Sequence, residues 1–338
     1  MDDLIRQEVS LAPYSTLRVG GSAAYLAEVT SIAELQEVLS FAKQHTNVPP
    51  LVIGSGSNVL FREAGYPGVV VVVGMTGITQ AEEGDSVLIT AAAGELLDTV
   101  VLHAVQESLW GLENLSAIPG TIGATPVQNV GAYGVEVSDL IVSVTALHME
   151  TGEQRIFSNE DCQFAYRESF FKTESGRKWI ITSVTFRLKK DPAPQLEYGT
   201  LAELQSIQNI TPQQVRDEIE SIRAGKFPDW HHVGTAGSFF KNPIISPTAY
   251  DELLAQYPDV PGFETEHGIK VSLGYVLDKI CGLRGYSNGP VCLYENQALV
   301  LVATKGARAS LIENFAREIT NRVEEKTKIK IEPEVRFV

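Results

Sequence analysis

Cysteine is scarce in this chain. The three present, Cys162, Cys281 and Cys292 in 338 residues, are odd in number and form no C-x-x-C pair. That excludes a disulfide framework and the usual structural zinc patterns, and leaves them as buried or incidental thiols. Positive charge is short as well: 27 Lys and Arg stand against 42 Asp and Glu, a net charge of −15. Such a chain lacks the basic footprint for sequence-independent binding to nucleic acid or to an anionic membrane, so an anionic ligand needs locally clustered cations. Long hydrophobic runs are missing too. "GVVVVVG" and "QALVLVA" are too short to cross a bilayer, and "MDDLIRQEVS" has neither the basic nor the apolar region of a signal peptide. A cytosolic protein is expected, and its acidity is compatible with a monomer. His231-His232 is the one adjacent histidine pair; neighbouring residues point in different directions, so it reads as a loop or pocket rim, and no metal site is expected.

What is present describes a foldable protein: 44% hydrophobic residues, 20% charged residues and 28 glycines, in a chain long enough for two or three compact units. Ser31 and Glu34 form an S-x-x-E capping box ahead of Ile32, Leu35, Val38, Leu39 and Ala42, which recur at helical spacing. "PPLVIG" and the five valines Val69–Val73 read as buried strands. "SVLITAAAG", "LIVSVTALHM" and "WIITSVTFRL" are further strands, with one helix over 95–105. Thr211-Pro212 opens a helix through Arg223 that Gly225 ends. Beyond it come helices near 247–256 and 272–280, the strand "ALVLVA", a long helix from about 307 to 325, and a closing strand, turn and strand in "IKIEPEVRFV". The expected class is α+β or α/β and multidomain, with boundaries at 1–75, 76–222, 223–328 and a closing segment 329–338.

Three glycine and hydroxyl turns punctuate the first 135 residues: "TLRVGGSA", "GSGSN" and "IPGTIGATPVQNVGAYG". Consecutive backbone N–H groups in such turns form concavities for phosphate, although a plain tight turn is the alternative for each alone. A Rossmann fingerprint needs glycine three residues after Gly56, and that position is Val59. Together the three turns suggest backbone wrapped along an extended, phosphate-bearing cofactor. The segment 111–137 is too long and glycine-rich for an ordinary connection. "GSFFKNP" sets a hydroxyl, two aromatics, a cation and an amide in one loop, without the G-x-S-x-G of a serine nucleophile. In "YRESFFK" and "EPEVRF", Arg167 can clamp a carboxylate and Glu334 can act as an acid, or both can be surface ion pairs. Spacing alone does not bring residues 167, 238 and 334 together.

These motifs, in this order and nearly end to end, resemble the UDP-N-acetylenolpyruvoylglucosamine reductases. The resemblance implies two N-terminal lobes that clasp FAD in the manner of the vanillyl-alcohol oxidase flavoproteins, and a C-terminal α/β domain that helps bind a nucleotide sugar. "QLEYGTL" resembles the tyrosine loop of the family's first structural type. The implied reaction has NADPH reduce FAD, after which UDP-N-acetylglucosamine enolpyruvyl ether accepts hydride at its terminal carbon and becomes UDP-N-acetylmuramate, a peptidoglycan precursor.

By the same resemblance Arg167 stabilises the enolate, Glu334 assists it, and Ser238 donates a proton to the carbanion, helped by Lys241 or an ordered water. Cofactor contacts fall to Thr16, Arg18 and Gly20, to Gly54, Ser55, Gly56, Ser57 and Asn58, and to Pro119, Gly120, Thr121, Gly123 and Ala124. Substrate contacts fall to Lys226 and Tyr198 near the pyrophosphate, Asn242 and Gln297 toward the nucleotide, and Gln128, Tyr133 and Arg336 near the acid. Ser15 stands where the family usually has asparagine. The competing expectations are an FAD-dependent oxidase on the same scaffold and a non-catalytic nucleotide-sugar binding protein.

Overall fold

The Ser31 hydroxyl accepts a hydrogen bond from the Glu34 amide at 3.2 Å and starts the helix Ile32–His45, as its spacing predicts. The Glu34 carboxylate reaches one residue further back than expected and takes the Thr30 amide at 2.6 Å. The computed structural model describes residues 4–338. The chain divides into two units: unit 1 takes Ala23–Ser55 and Pro67–Arg223 with the described part of Met1–Val9, and unit 2 takes Ser10–Ser22, Gly56–Tyr66 and Ala224–Val338.

Two sheets organise unit 1. In the first, strands run in the order Ile5–Ser10, Ser22–Val29, Tyr66–Val73 and Leu51–Ile53, the last two parallel with Leu51 opposite Val70. Val69, Val70 and Val71 are fully buried, which is why a run of valines is tolerated there. The second sheet is antiparallel, in the order Gln154–Ser158, Ile141–His148, Trp179–Lys189, Ser86–Ala92 and Ile78–Glu83. Along Trp179–Lys189, buried Val184, Phe186 and Leu188 alternate with outward residues, the period-two pattern of a one-sided sheet. The helix Leu97–Gln106 packs Leu97, Val100, Val101 and Ala104 into the same core. It starts two residues later than expected because Leu96 is extended and bridges to Thr121.

The segment 111–137 is irregular, as predicted, and is built of short turns at Glu113–Leu115, Ile122–Ala124 and Val137–Asp139 around a two-residue hairpin, Gly131–Ala132 with Val135–Glu136. The helix Pro212–Lys226 runs past the expected stop at Gly225. Pro228 is the effective terminator, since the residue before a proline is pushed out of the helical region.

Unit 2 holds an antiparallel sheet in the order Gly234–Ser238, Val300–Ala303, Val291–Leu293 and Ser287–Asn288, and a second of Ile244–Ile245, Gly268–Val271 and Gly262–Thr265. The helix Ala309–Thr327 buries Ile312, Phe315, Ile319 and Val323, one stripe at helical spacing, in this core. Two expectations are corrected. The helix near 272–280 is one α turn, Leu273–Tyr275, followed by a π turn at Val276–Ile280. Of the closing strand, turn and strand, only Arg336–Phe337 forms a strand, in parallel with Val59–Leu60, because that partner strand is itself two residues long; Pro333 makes an isolated bridge to Phe240. Burial pushes the Cys162 thiol up to about 12 and raises Cys281 and Cys292, which makes all three poor thiolates. Among the described residues no helix is long and apolar enough to cross a membrane.

Glu113 is 1% exposed, and one carboxylate oxygen accepts the Gly111 amide at 2.5 Å. Burial raises its pKa, an effect that bonds from the Gly111 and Glu113 amides only partly offset. A carboxyl raised in the fold contributes stability at low pH and loses it as pH rises through its folded pKa. Glu113→Gln, which keeps the acceptor without the charge, should therefore melt above the wild type at about pH 8 and converge on it toward about pH 4. Melting curves at the two pH values check this; a variant that melts lower at both means the charge itself is needed.

Candidate active site

In unit 1 the strand Leu51–Ile53 delivers Gly54 and Ser55 against the turn Ile122–Ala124. A methyl group placed on Gly54 would lie 2.0 Å from the Thr121 hydroxyl oxygen, so only glycine permits this approach. The segment 120–123 is held to 93–97 by backbone bonds: Gly123 N–H to Ala93 O at 2.8 Å, Ile122 N–H to Glu95 O at 2.8 Å, and Leu97 N–H to Gly120 O at 3.0 Å. Thus Gly54, Ser55, Gly120, Thr121 and Gly123, from two of the three turns, share one neighbourhood.

Arg167 lies beside the next stretch of the same segment. Its guanidinium donates to Gly131 O at 3.1 Å and to Asn129 O at 3.4 Å, and its own backbone is left-handed with φ of 58°. The Ser169 hydroxyl donates to Val127 O at 2.7 Å, which fixes the "YRESFFK" loop along 127–131, where Gln128 lies. Buried Asn129 locks the other side, taking the Ser138 amide at 3.1 Å and donating to Glu136 at 2.6 Å. Tyr133 and Tyr198 meet edge to face with ring centroids 5.5 Å apart. Fully buried Asn114 donates to both Tyr133 O and Gln195 O at 2.8 Å, and so ties the tyrosine loop to the glycine-rich segment. Unit 1 therefore gathers Gln128, Tyr133, Arg167 and Tyr198 around one loop. Burial depresses the pKa of Arg223 and raises that of Tyr133, and the two side chains hydrogen-bond to one another.

In unit 2 Asn58, Glu334, Arg336 and the backbone after Ser238 meet along the chain's last strand. Arg336 N–H donates to Asn58 O at 3.1 Å, and the Asn58 side-chain amide donates to Glu334 O at 3.3 Å. Glu334 N–H donates to Phe239 O at 2.8 Å and Lys241 N–H to Glu332 O at 3.0 Å, which sets Glu334 next to Ser238 and the "GSFFKNP" loop. Phe239 and Phe240 are buried anchors, while Ser238, Lys241 and Asn242 on either side are half-buried. The register between Thr235 and Ser238 is irregular, with Gly237 at φ of 69°, so the Ser238 side chain leaves the regular alternation of its strand. Asn242 and Gln297 each spend a side-chain oxygen on local backbone, on the Leu273 amide at 3.0 Å and the Leu299 amide at 3.4 Å.

The turn at Thr16 docks on the same strand system. Thr16 N–H donates to Gly56 O at 3.2 Å, and a methyl group on Gly56 would lie 1.9 Å from Tyr14 O. Arg18 donates to His231 O at 2.6 Å, which puts the histidine pair in an exposed turn. Gly20, Ser57 and Lys226 also belong to unit 2. Asn114, Asn129 and Ser169 carry the loops, yet nothing in the sequence singles them out, because their role is set by backbone carbonyls distant in the chain. Among the described residues no three His, Cys, Asp or Glu side chains group as a metal would require.

Against known proteins, the family model described as an FAD binding domain matches residues 23–158, and the one described as UDP-N-acetylenolpyruvoylglucosamine reductase, C-terminal domain, matches 229–338. The UDP-N-acetylenolpyruvoylglucosamine reductase of Porphyromonas gingivalis strain ATCC BAA-308 / W83 is 39% identical over 338 residues, 99% of each chain. That of Pseudomonas fluorescens strain Pf0-1 is 40% identical over 335 residues, 98% of each. The crystal structure of the Thermus caldophilus reductase, MurB, matches with a TM-score of 0.68 and 26% identity over 98% of this chain and 99% of that one. With both its glycine-rich cradle and its serine and glutamate strand system inside those matches, the chain belongs to the UDP-N-acetylenolpyruvoylglucosamine reductase family.

Proposed function

We propose that this protein reduces the enolpyruvyl ether of UDP-N-acetylglucosamine to UDP-N-acetylmuramate, with NADPH as the source of reducing equivalents, as a monomer in the cytosol. The observation that supports this reading is the Glu334 N–H to Phe239 O bond of 2.8 Å, by which the backbone of Glu334 runs alongside the residue after Ser238. The residues present suit FAD. In unit 1, Gly54 has no room for a side chain against Thr121, and Ser55 and Thr121 are neutral donors of the kind a pyrophosphate takes.

When bound, FAD would supply the hydride, received from NADPH, that adds to the terminal carbon of the enol ether. Hydride addition leaves negative charge on the adjacent carbon and its carboxylate. Arg167 is assigned to stabilise that charge, and a preorganised donor of this kind is worth roughly 3–4 kcal/mol. Its guanidinium is held by two backbone carbonyls, so it needs little reorganisation as charge develops. Ser238 gives its hydroxyl proton to the carbanion, and Glu334 assists by holding the substrate carboxylate. A serine hydroxyl is a poor acid, so the reading includes help from Lys241, three residues on in the same loop. Lys226 and Tyr198 are assigned to the pyrophosphate, Asn242 and Gln297 to the nucleotide, and Gln128, Tyr133 and Arg336 to the acid. Of these, Asn242 and Gln297 already use one side-chain oxygen each on backbone, which leaves their amide N–H groups for the ligand.

Two results are expected. Gly54→Ala should weaken FAD binding and cost about 1–3 kcal/mol of stability through overpacking, and adding Thr121→Ala, which deletes the clashing oxygen, should restore part of both; flavin titration of the apoprotein and thermal melts measure this. Ser238→Ala should leave flavin reduction by NADPH near the wild-type rate and slow reoxidation by the enolpyruvyl substrate roughly 100- to 10,000-fold in stopped flow. Glu334→Gln should affect the same half-reaction. Normal reoxidation in both variants would remove these residues from the proposed roles.

A further inference from the structure

The segment 120–123 is laced to 93–97 by the three backbone bonds already described, and that ladder does not continue past Gly120, because residue 97 begins a helix whose amides turn away. The next rung is made by a side chain. Asp98, in the first turn of the helix, accepts the Ala117 amide at 2.6 Å. Ala117 sits in the left-handed region with φ of 56°, which an alanine disfavours unless its surroundings hold it there. Its peptide is gripped at the other end too: Arg223 Nε donates to Ala117 O at 3.1 Å.

Asp98 is itself held. Arg216, only 7% exposed, makes a two-pronged bond to its carboxylate, Nη1 to Oδ1 at 2.7 Å and Nη2 to Oδ2 at 2.9 Å, and also meets Glu220 at 2.5 Å. The planar fork fixes the carboxylate's plane as well as its distance. Burial opposes ionisation of Asp98, but the Arg216 and Ala117 donors outweigh it and hold its carboxyl below its ordinary value. Because Arg216 and Arg223 lie seven residues apart, two turns of one helix, the helix Pro212–Lys226 presents both to the same loop. One Arg sets the acid that takes the Ala117 N–H; the other takes its C=O.

We infer that Asp98, oriented by Arg216, is a positioning residue that locks the Ala117 peptide and thereby the shape of Pro119–Ala124 for FAD. The inference rests on the assignment of Pro119–Ala124 to the cofactor. Asp98 touches no reacting atom in this account. Its effect is read in the order of the loop before the cofactor arrives and in the affinity that order confers.

The test uses the full-length apoprotein, titrated with FAD and followed by hydrogen exchange. Asp98→Ala should raise the FAD dissociation constant roughly 10- to 100-fold, the range for loss of charged hydrogen bonds, and Asp98→Asn, which keeps one neutral acceptor, about fivefold. In both, amide exchange over 116–124 should quicken while the strand Ile141–His148 keeps its protection, a local signature that general destabilisation does not give. If Asp98→Ala fails to fold, Asp98→Asn decides. Unchanged affinity and unchanged exchange over 116–124 in whichever variant folds would overturn the proposal. Gly54→Ala separates the two ideas: if it loses FAD while the Asp98 variants bind normally, the cradle stands and Asp98 has no part in it. If neither weakens binding, the assignment of the loop to FAD falls and the proposal falls with it.

Discussion

The backbone of the last seven residues is the constraint on which unit 2 depends. Lys241 N–H meets Glu332 O, Glu334 N–H meets Phe239 O, Arg336 N–H meets Asn58 O, Val338 N–H meets Leu60 O, and Arg62 N–H meets Val338 O. One extended segment thus ties together the end of the "GSGSN" turn and the "GSFFKNP" loop, stretches nearly two hundred residues apart in sequence. Because the bonds are made by main chain, they fix positions without regard to side-chain identity, and leave Glu334 and Ser238 free to be chosen for chemistry. Phe239, Phe240 and Val335 supply the complement: all three are buried, and they pin the two strands from below. Side chains between the anchors are aimed by what the anchors do.

Unit 1 solves the same problem with carbonyl clamps instead of a strand. The loop 127–137 has little regular structure to hold it, so polar side chains from elsewhere in unit 1 seize its carbonyls: Ser169 at Val127, Arg167 at Asn129 and Gly131, Asn114 at Tyr133. Each bond costs desolvation of a buried polar group and is worth about 1 kcal/mol net, yet leaving the partner unmade would cost more. This explains why so irregular a segment stays ordered. It also means that Arg167 has a structural hold on the loop in addition to its assigned role, so its removal is a poor probe of chemistry alone.

Much of this was legible in the residues. Local signals gave the helix behind Ser31, the valine strand and the helix after Ser246, because capping and apolar period act within a few residues. The ordered motifs gave the family, and within it the cofactor. Prediction failed where a distant partner decided the outcome. Leu96 is drawn out of its helix by Thr121, and 329–331 forms no strand because the partner strand Val59–Leu60 meets only Arg336–Phe337. Gly225 fails as a stop signal because nothing forces the chain out of helix until Pro228. Nothing in the sequence pairs Asp98 with Arg216; only the fold shows that 118 residues of separation collapse into a 2.7 Å bond.

Ser15 fastens the Thr16 turn through a single oxygen. Its hydroxyl donates to Val59 O at 2.8 Å and accepts the Leu17 amide at 3.2 Å, and the residue is 4% exposed. Donating and accepting from one oxygen, the serine holds the Thr16 turn close to the strand after "GSGSN". Thr16 N–H can then meet Gly56 O directly, and Gly56, with φ of 66° and Tyr14 O against its α-carbon, closes the contact. Val59 is central to this arrangement. It fails as the third glycine of a dinucleotide fingerprint because its backbone pairs with Arg336 on one side and its carbonyl receives Ser15. The position that a Rossmann fold uses to bring a helix against its strand is here used to bring in the chain's own C-terminus.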